Sequence, residues 1–178
     1  MSIPPAGLSL EQLQQLAAVG EPPDAAQTLE LLVTMGHSQE ELRAWASDVL
    51  QTIEVLPRSL ADSVAAKCLD PHPAVAAWAC TLLAKLASDA CQYQSPIAAC
   101  LDTHSSVSTR QQAALALGSI AQRGSATLVS PRQESADPNA STLEAPTVDA
   151  LRRAAANGDP RLKRLAESAL AANTKTDS

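Results

Sequence analysis

Two twelve-residue segments of this chain match each other at a spacing of 33 residues. LRAWASDVLQTI spans residues 42–53 and VAAWACTLLAKL spans 75–86, and Ala, Trp, Ala and Leu fall at the same places in both. Two further copies follow, at Thr109–Ile120 and Leu162–Asn173. The last interval is longer because it contains the Ser- and Pro-rich stretch 124–146, which predicts a flexible insertion. The match predicts one structural unit that recurs along the chain.

The residues shared by the copies form one stripe of an amphipathic helix. Apolar or small side chains recur at the first, fourth, fifth, eighth, ninth and twelfth places. This spacing puts them on a single side of an α-helix. Each copy is therefore predicted to be one helix with one buried face.

A helix is also predicted before each copy. Asp24 is suited to cap the first of these helices, and Pro71 and Pro73 prevent the second from continuing. Ser38 with Glu41 has the spacing of a capping box, and Ser9 with Gln12 caps an extra helix at the N-terminus. The predicted helices outside the copies are Leu10–Val19, Asp24–Met35, Arg58–Leu69, Ser95–Leu101 and Val148–Asn157.

Helix, turn and helix are thus expected four times in a single domain. The repeats cover about 24–55, 58–88, 95–122 and 147–173, with an N-terminal cap at 9–19 and a disordered tail at 174–178.

The composition favours an all-α protein. Hydrophobic residues make up 46% of the chain, but Phe is absent and aromatic residues account for 2%, so the helices must approach closely through Ala. No segment alternates apolar and polar residues long enough to predict a strand. No apolar run approaches the roughly 18 to 20 residues of a membrane span, and no secretory signal is recognised.

The four cysteines are expected to be reduced. Cys68, Cys80, Cys91 and Cys100 lie in apolar helical patterns and form no C-x-x-C pair, which favours buried thiols and a cytoplasmic location. Cys80 is expected to lean outward and is a candidate nucleophile, but no nearby charge in the sequence indicates a lowered pKa.

Two segments resemble HEAT-type repeats. TRQQAALALGSI, at Thr109–Ile120, is similar to the second helix of such a repeat, with its Arg, paired alanines and Ala-Leu-Gly. DPHPAV, at Asp70–Val75, resembles the Asp-Pro turn before that helix in bacterial HEAT-like repeats. The resemblance covers roughly 24–173. It implies an armadillo-like helical α-solenoid of about four stacked helical hairpins, with the extra N-terminal helix covering one end.

The resemblance also implies that the second helix of each hairpin lines a concave surface. A non-catalytic scaffold that binds a protein partner there is the function expected first, although the sequence does not identify the partner. The outward positions are equally well explained as solvated residues. The candidate partner-binding residues are Arg43, Asp48, Gln51, Ala77, Thr81, Lys85, Arg110, Gln111, Lys163 and Arg164, together with Gln122 and Glu167.

The tryptophans and histidines have simpler interpretations than binding. Trp45 and Trp78 share one place in consecutive copies, which favours packing between hairpins over a binding hot spot. His37, His72 and His104 each precede a second helix. Because stacked helices are about 8 to 10 Å apart, turn or capping roles are favoured over a shared metal.

Two other functions stay open. Catalytic motifs such as G-x-S-x-G, phosphate-binding loops and H-E-x-x-H are missing from the sequence, and Asp89, Asp102 and Asp159 are interpreted as caps. No catalytic residue, cofactor or metal is therefore predicted. Because HEAT-like repeats occur in phycobilin lyases and in some DNA glycosylases, an enzyme or enzyme accessory is one alternative.

The other alternative is an anion or nucleic-acid binder. The net charge of −6 opposes general affinity for nucleic acid. Basic residues are nevertheless concentrated in the last hairpin, where a solvated end cap is the favoured interpretation. They are Arg152, Arg153, Arg161, Lys163 and Arg164.

Overall fold

The computed structural model describes residues 7–86, 88–127 and 143–174, and within these ranges it contains no β-strand. The prediction of an all-α protein is confirmed. The described residues form nine α-helices: α1 Leu10–Val19, α2 Ala25–Thr34, α3 Glu40–Gln51, α4 Ala61–Ala65, α5 Pro73–Ala84, α6 Gln94–Thr103, α7 Val107–Thr127, α8 Ala145–Asn157 and α9 Pro160–Thr174. Two 3-10 helices, Arg58–Leu60 and Ser88–Tyr93, precede α4 and α6.

The repeated segments coincide with helices α3, α5, α7 and α9, here called the second helices. The predicted helix Arg58–Leu69 is wrong in its length, because α4 ends at Ala65. Beyond Ala65 the backbone tightens into turns in which the amides of Lys67 and Cys68 donate to carbonyls three residues earlier. Since Pro71 follows closely, the chain turns before another full helical turn can form.

The capping predictions have mixed outcomes. Ser9 with Gln12 forms the expected capping box, and Asp24 forms one with Gln27. The predicted box of Ser38 with Glu41 is wrong, because Gln39 is the N-cap of α3 and its side chain makes no capping bond. Ser38 therefore lies one residue too early to reach the exposed amides of the first turn.

The predicted insertion 124–146 falls mainly on residues 128–142, which lie outside the described part of the chain. Residues 124–127 continue α7. On the other side, Leu143 is buried and its amide donates to Asn173 Oδ1 at 2.8 Å. The predicted tail beyond Thr174 is also outside the described residues.

The helices pack in a regular order over much of the chain. α5 packs against α7 and α7 against α9, while α6 packs against both α7 and α8, and α8 against α9. At the N-terminal end, α1 and α2 both pack against α3, and α2 also contacts α5. The buried apolar side chains of the described residues belong to one hydrophobic core.

Small side chains are buried at matching places of the second helices. The fifth place of every copy is an alanine with 0% exposure, and the four are Ala46, Ala79, Ala113 and Ala166. Gly118 in α7 lies so near α9 that a Cβ added to it would be 3.4 Å from Ala169 Cβ. Larger side chains at these places would push the helices apart.

Successive turns are also in contact. The ring Nε2 of His104 lies 3.2 Å from the carbonyl oxygen of Asp70. The hydroxyl of Thr109 donates to the carbonyl of Pro73 at 3.1 Å. These partners are 34 and 36 residues apart, so each contact joins one repeat to the next.

Among the described helices, none has both the length and the apolar character needed to cross a lipid bilayer.

We expect Ala79→Leu to destabilise the fold by about 1 to 3 kcal/mol, because the added atoms must enter a filled contact between helices. Chemical denaturation measures the change in the free energy of unfolding. Ala77→Leu is the matched control, since Ala77 lies two residues away in α5 and is only half-buried. Equal losses in both variants would contradict the importance of the close contact.

Candidate functional site

The exposed sides of the second helices coincide with matched places in the repeat. At the third and seventh places of all four copies the side chain is at least partly exposed, whereas at the fifth place it is buried. We call this set the second-helix face. It consists of Ala44, Asp48, Ala77, Thr81, Gln111, Leu115, Arg164 and Ser168.

Leu115 was not among the predicted partner-binding residues. It occupies the seventh place of its copy, as Asp48 and Thr81 do in theirs, and it is 42% exposed. Its apolar character suggested burial, but the repeat register already pointed to the surface. A comparison of matching positions in the four copies, without regard to residue type, identifies Leu115 as a surface residue.

The two tryptophans border the second-helix face. Trp45 and Trp78 are each half-buried and pack against the hydrophobic core. Their matching environments agree with the prediction that they serve packing. Each ring nevertheless keeps part of its surface accessible beside the face.

Arg43 lies at the side of the turn that leads into α3. Its Nη1 donates to the carbonyl of His37 at 2.7 Å and to that of Ser38 at 3.0 Å. Asp48 and Gln51, the other candidates on α3, have exposed side chains. Of these three residues, Arg43 is the one whose side chain holds the turn before α3 through hydrogen bonds to its backbone.

Lys85 joins the ends of two second helices. Its Nζ donates to the carbonyl of Ile53 at 2.5 Å and lies 3.5 Å from that of Gln51. Gln51 is the last residue of α3 and Ile53 lies just beyond it, where a helix leaves carbonyl groups without internal partners. Burial lowers the pKa of Lys85, opposed by the charge of Glu54. Lys85 thus binds the backbone of the preceding repeat.

Arg123 makes the corresponding contact one repeat later. Its guanidinium donates to the carbonyls of Ala84 and Leu86. Ala84 and Leu86 occupy the same places in their copy as Gln51 and Ile53 do in theirs, 33 residues earlier. A cation from the next repeat therefore binds the end of α3 and the end of α5 in the same way. Arg123 lies beyond the twelve-residue copy, so the sequence match gave no signal for it.

Arg110 lines a cavity of about 330 Å³ between α6, α7 and α8. Asp102 and Arg153 also line it, and they form an ion pair at 2.5 Å. The Nε of Arg110 is buried and has no hydrogen-bond partner among the residues that the structure describes. Asp102 lies in the last turn of α6 and pairs with α8, so its interpretation as a cap is wrong.

Gln111 connects α7 to the start of α9. Its Nε2 donates to Asp159 Oδ1 at 3.1 Å, and the same oxygen accepts the backbone amides of Arg161 and Leu162. Asp159 therefore caps α9, as predicted. Burial would raise the pKa of Asp159, but these hydrogen bonds, with those from Leu162 and Arg161 foremost, lower it overall.

The remaining candidates differ in their surroundings. Ala77 is half-buried, and the hydroxyl of Thr81 donates to the Ala77 carbonyl at 3.0 Å. Lys163 is exposed and lies 3.9 Å from Glu167, while Arg164 Nε donates to the carbonyl of Pro160. The ten candidates thus divide between exposed positions and structural links.

The basic cluster of the last hairpin is largely paired with carboxylates. Arg152 pairs with Asp149 at 3.1 Å, Arg153 with Asp102, and Lys163 with Glu167. Pairing reduces the positive potential available to a phosphate backbone. Outside this cluster, Asp89 forms an ion pair with Arg58 at 3.3 Å.

The histidines occupy turns, in agreement with the prediction. His37 Nδ1 accepts the amide of Gln39, and His104 Nδ1 accepts the amide of Ser106, so the two rings close equivalent turns. His72 is the N-cap residue of α5, but its side chain makes no capping bond. Among the described residues, no group of three or more His, Cys, Asp or Glu side chains is placed to hold a metal ion.

The cysteines have free thiols, and three of them are buried. Cys80 Sγ lies 3.8 Å from Cys68 Sγ. The pKa of Cys80 is raised overall: a hydrogen bond with Cys100 lowers it, but a hydrogen bond with Cys68 and burial outweigh that effect. The outward-leaning position considered for Cys80 is wrong, since its exposure is 0%. A buried thiol with a raised pKa is a poor nucleophile.

No protein-family model matches this chain, and no curated protein has significant similarity to it.

We expect Lys85→Met to lower the free energy of unfolding by about 1 to 2 kcal/mol, because the apolar stem is kept while two helix-end carbonyls lose a charged donor. Urea denaturation measures the loss. Lys163→Met provides the control, since Lys163 is exposed and its ion pair should contribute at most about 0.5 kcal/mol. A Lys85 variant as stable as the control would show that the inter-repeat bond is unimportant.

We expect the contribution of Asp159 to stability to depend on pH. Because its pKa is lowered in the folded protein, the carboxylate stabilises the fold above its ordinary pKa of about 3.9, and this effect is lost as pH falls through the folded value. Asp159→Ala should lower the melting temperature at pH 7, and the difference from the parent protein should shrink as pH falls below the ordinary pKa of the carboxyl group. Asp149→Ala, which removes an exposed carboxylate, should change little. A constant difference for Asp159→Ala across this range would argue against a charged cap.

Proposed function

We propose that this protein is a non-catalytic interaction module, a small HEAT-like α-solenoid that binds a protein partner on the second-helix face. The observation that carries the proposal is that matching positions of the four second helices are exposed or buried alike. The third and seventh places are accessible in all four second helices, while the fifth place is buried in all four. Repetition of this pattern favours one continuous surface shared by the repeats.

Contacts between repeats support the solenoid part of the proposal. Lys85 and Arg123 bind helix-end carbonyls that are 33 residues apart and occupy matching places. The order α5, α7, α9 in packing follows the order of the copies in sequence. A stack of similar hairpins explains both observations.

The chemistry of the face favours a protein partner over nucleic acid. Leu115 is exposed, Ala77 and Thr81 offer small contacts, and Trp78 is half-buried. Such a surface suits a partner protein that places an apolar side chain at the centre of the contact and polar groups around it. The basic cluster, by contrast, is mostly neutralised by its own carboxylates.

The thiols support a reducing location within this proposal. Cys68, Cys80 and Cys100 are buried and free, which suits a protein that works in the cytoplasm.

The test compares two pairs of arginine substitutions. Thr81→Arg with Leu115→Arg introduces charge and bulk on the second-helix face. Ser63→Arg with Ser95→Arg adds the same charge at exposed positions on α4 and α6. Proteins recovered with each tagged variant from the native lysate are quantified by mass spectrometry, and the affinity of the recovered partner is then measured with purified components.

We expect the face variant to bind its partner at least tenfold more weakly, a change of about 1.4 kcal/mol or more. The control should bind as the parent protein does, and circular dichroism should show both variants folded. Undiminished binding by the folded face variant, or equal loss in the control, would rule out this surface.

A further inference from the structure

The negative charge of this protein is concentrated at its N-terminal end. Six of the 19 acidic residues precede Arg43, whereas none of the 13 basic residues does. The rest of the chain therefore carries equal numbers of acidic and basic residues. Helices α1 and α2 lie entirely within the acidic part.

A groove of about 450 Å³ opens between these two helices. Both pack against α3, but they have little direct contact with each other, so a gap remains between them. Its volume lies within the range of about 300 to 1,000 Å³ typical of binding pockets. The groove is distinct from the second-helix face, none of whose residues line it.

The groove is held by specific contacts at its base. The amide of Leu8 donates to Thr34 Oγ1 at 3.1 Å and fixes the segment before α1 to the end of α2. Gly7 allows this approach, because a Cβ on it would lie 2.5 Å from the same oxygen. Gln12 and Gln27, which line the groove, are each fixed by a capping box. These contacts fix the ends of the two helices that border the groove.

The lining combines apolar and acidic side chains. Leu16, Val19 and Pro22 provide apolar surface, and Val19 is 59% exposed. Glu21 and Glu30 are exposed, and neither forms an ion pair with any described residue. No Lys or Arg lines the groove in the described structure.

We propose that this groove binds a basic peptide segment of a partner protein that carries an apolar side chain beside its Lys or Arg residues. The aliphatic stem of a bound Lys or Arg packs on Leu16 and Val19, while its charged end reaches Glu21 or Glu30. The excess negative charge of this end attracts such a segment from solution and sets its orientation. The site is additional to the partner surface proposed above.

Charge complementarity favours a separate partner over a second copy of this chain. The most basic region of a second copy is its last hairpin, and Arg152, Arg153 and Lys163 there are already paired with carboxylates. The chain's own undescribed segment 128–142 contains Arg132 as its single basic residue. Of that hairpin's described cations, Arg161 and Arg164 form no ion pair, and Arg164 Nε donates to the carbonyl of Pro160. A Lys- or Arg-rich peptide segment therefore offers more unpaired cations than either alternative.

The probe is a short fluorescent peptide composed of Lys and Leu, and fluorescence anisotropy measures its binding. Two matched peptides replace Lys by Glu or Leu by Gly. We expect the parent peptide to bind, with an affinity that falls as salt rises, and both altered peptides to bind at least tenfold more weakly. Amide chemical shifts in NMR spectra should change at Leu16, Val19 and Glu30.

Charge-matched variants locate the binding. Glu21→Lys with Glu30→Lys should weaken peptide binding at least tenfold. Glu11→Lys with Glu40→Lys makes the same change in net charge at exposed residues that do not line the groove, and it should weaken binding less than threefold. Val19→Ser should weaken binding without changing the melting temperature, because Val19 is mostly exposed.

Several results would overturn the proposal. One is equal weakening in both charge-reversed variants, which would indicate general attraction alone. Another is self-association in analytical ultracentrifugation that Glu21→Lys with Glu30→Lys abolishes, since a second copy would then occupy the groove. A third is peptide binding that occurs only after residues 1–6 are removed, because the chain's own N-terminus would then fill the site.

Discussion

Close contact between helices through alanine is the constraint on which the rest of this structure depends. With no Phe and few other aromatic residues, the chain cannot fill wide gaps with large side chains, so its helices must approach one another. The buried alanines at the fifth place of each copy, and Gly118 against Ala169, permit that approach. Tight packing then provides the many small dispersion contacts that stabilise the core.

The last carbonyl groups of a helix need hydrogen-bond donors from outside the helix. Here, side chains of the next repeat donate to them. Lys85 binds the end of α3, and Arg123 binds the end of α5. The turns make similar links, as between His104 and Asp70. Several polar side chains therefore form hydrogen bonds between the repeated segments. Surface positions that remain, such as Leu115, are the better candidates for contact with a partner.

The sequence predicted some parts of this arrangement much better than others. The repeat register located α3, α5, α7 and α9, because a helix with one apolar stripe leaves a periodic pattern. It did not predict that Arg43 and Lys85 would bind backbone carbonyls. A long, flexible cation has many possible partners, and its choice depends on which carbonyls lie within reach. The shortened α4 was missed because its local pattern is helical, while the turn before Pro71 ends it early.

The sequence by itself determined that the protein is all-α, which face of each second helix is buried, and that negative charge gathers before Arg43. These are local properties, set by periodicity, side-chain size and charge. Only the tertiary structure decided that α1 and α2 pack on α3 with a groove between them, and that Arg110 and Arg153 line one cavity. Such spaces depend on the angles and distances between helices, which arise from the packing of residues distant in the chain.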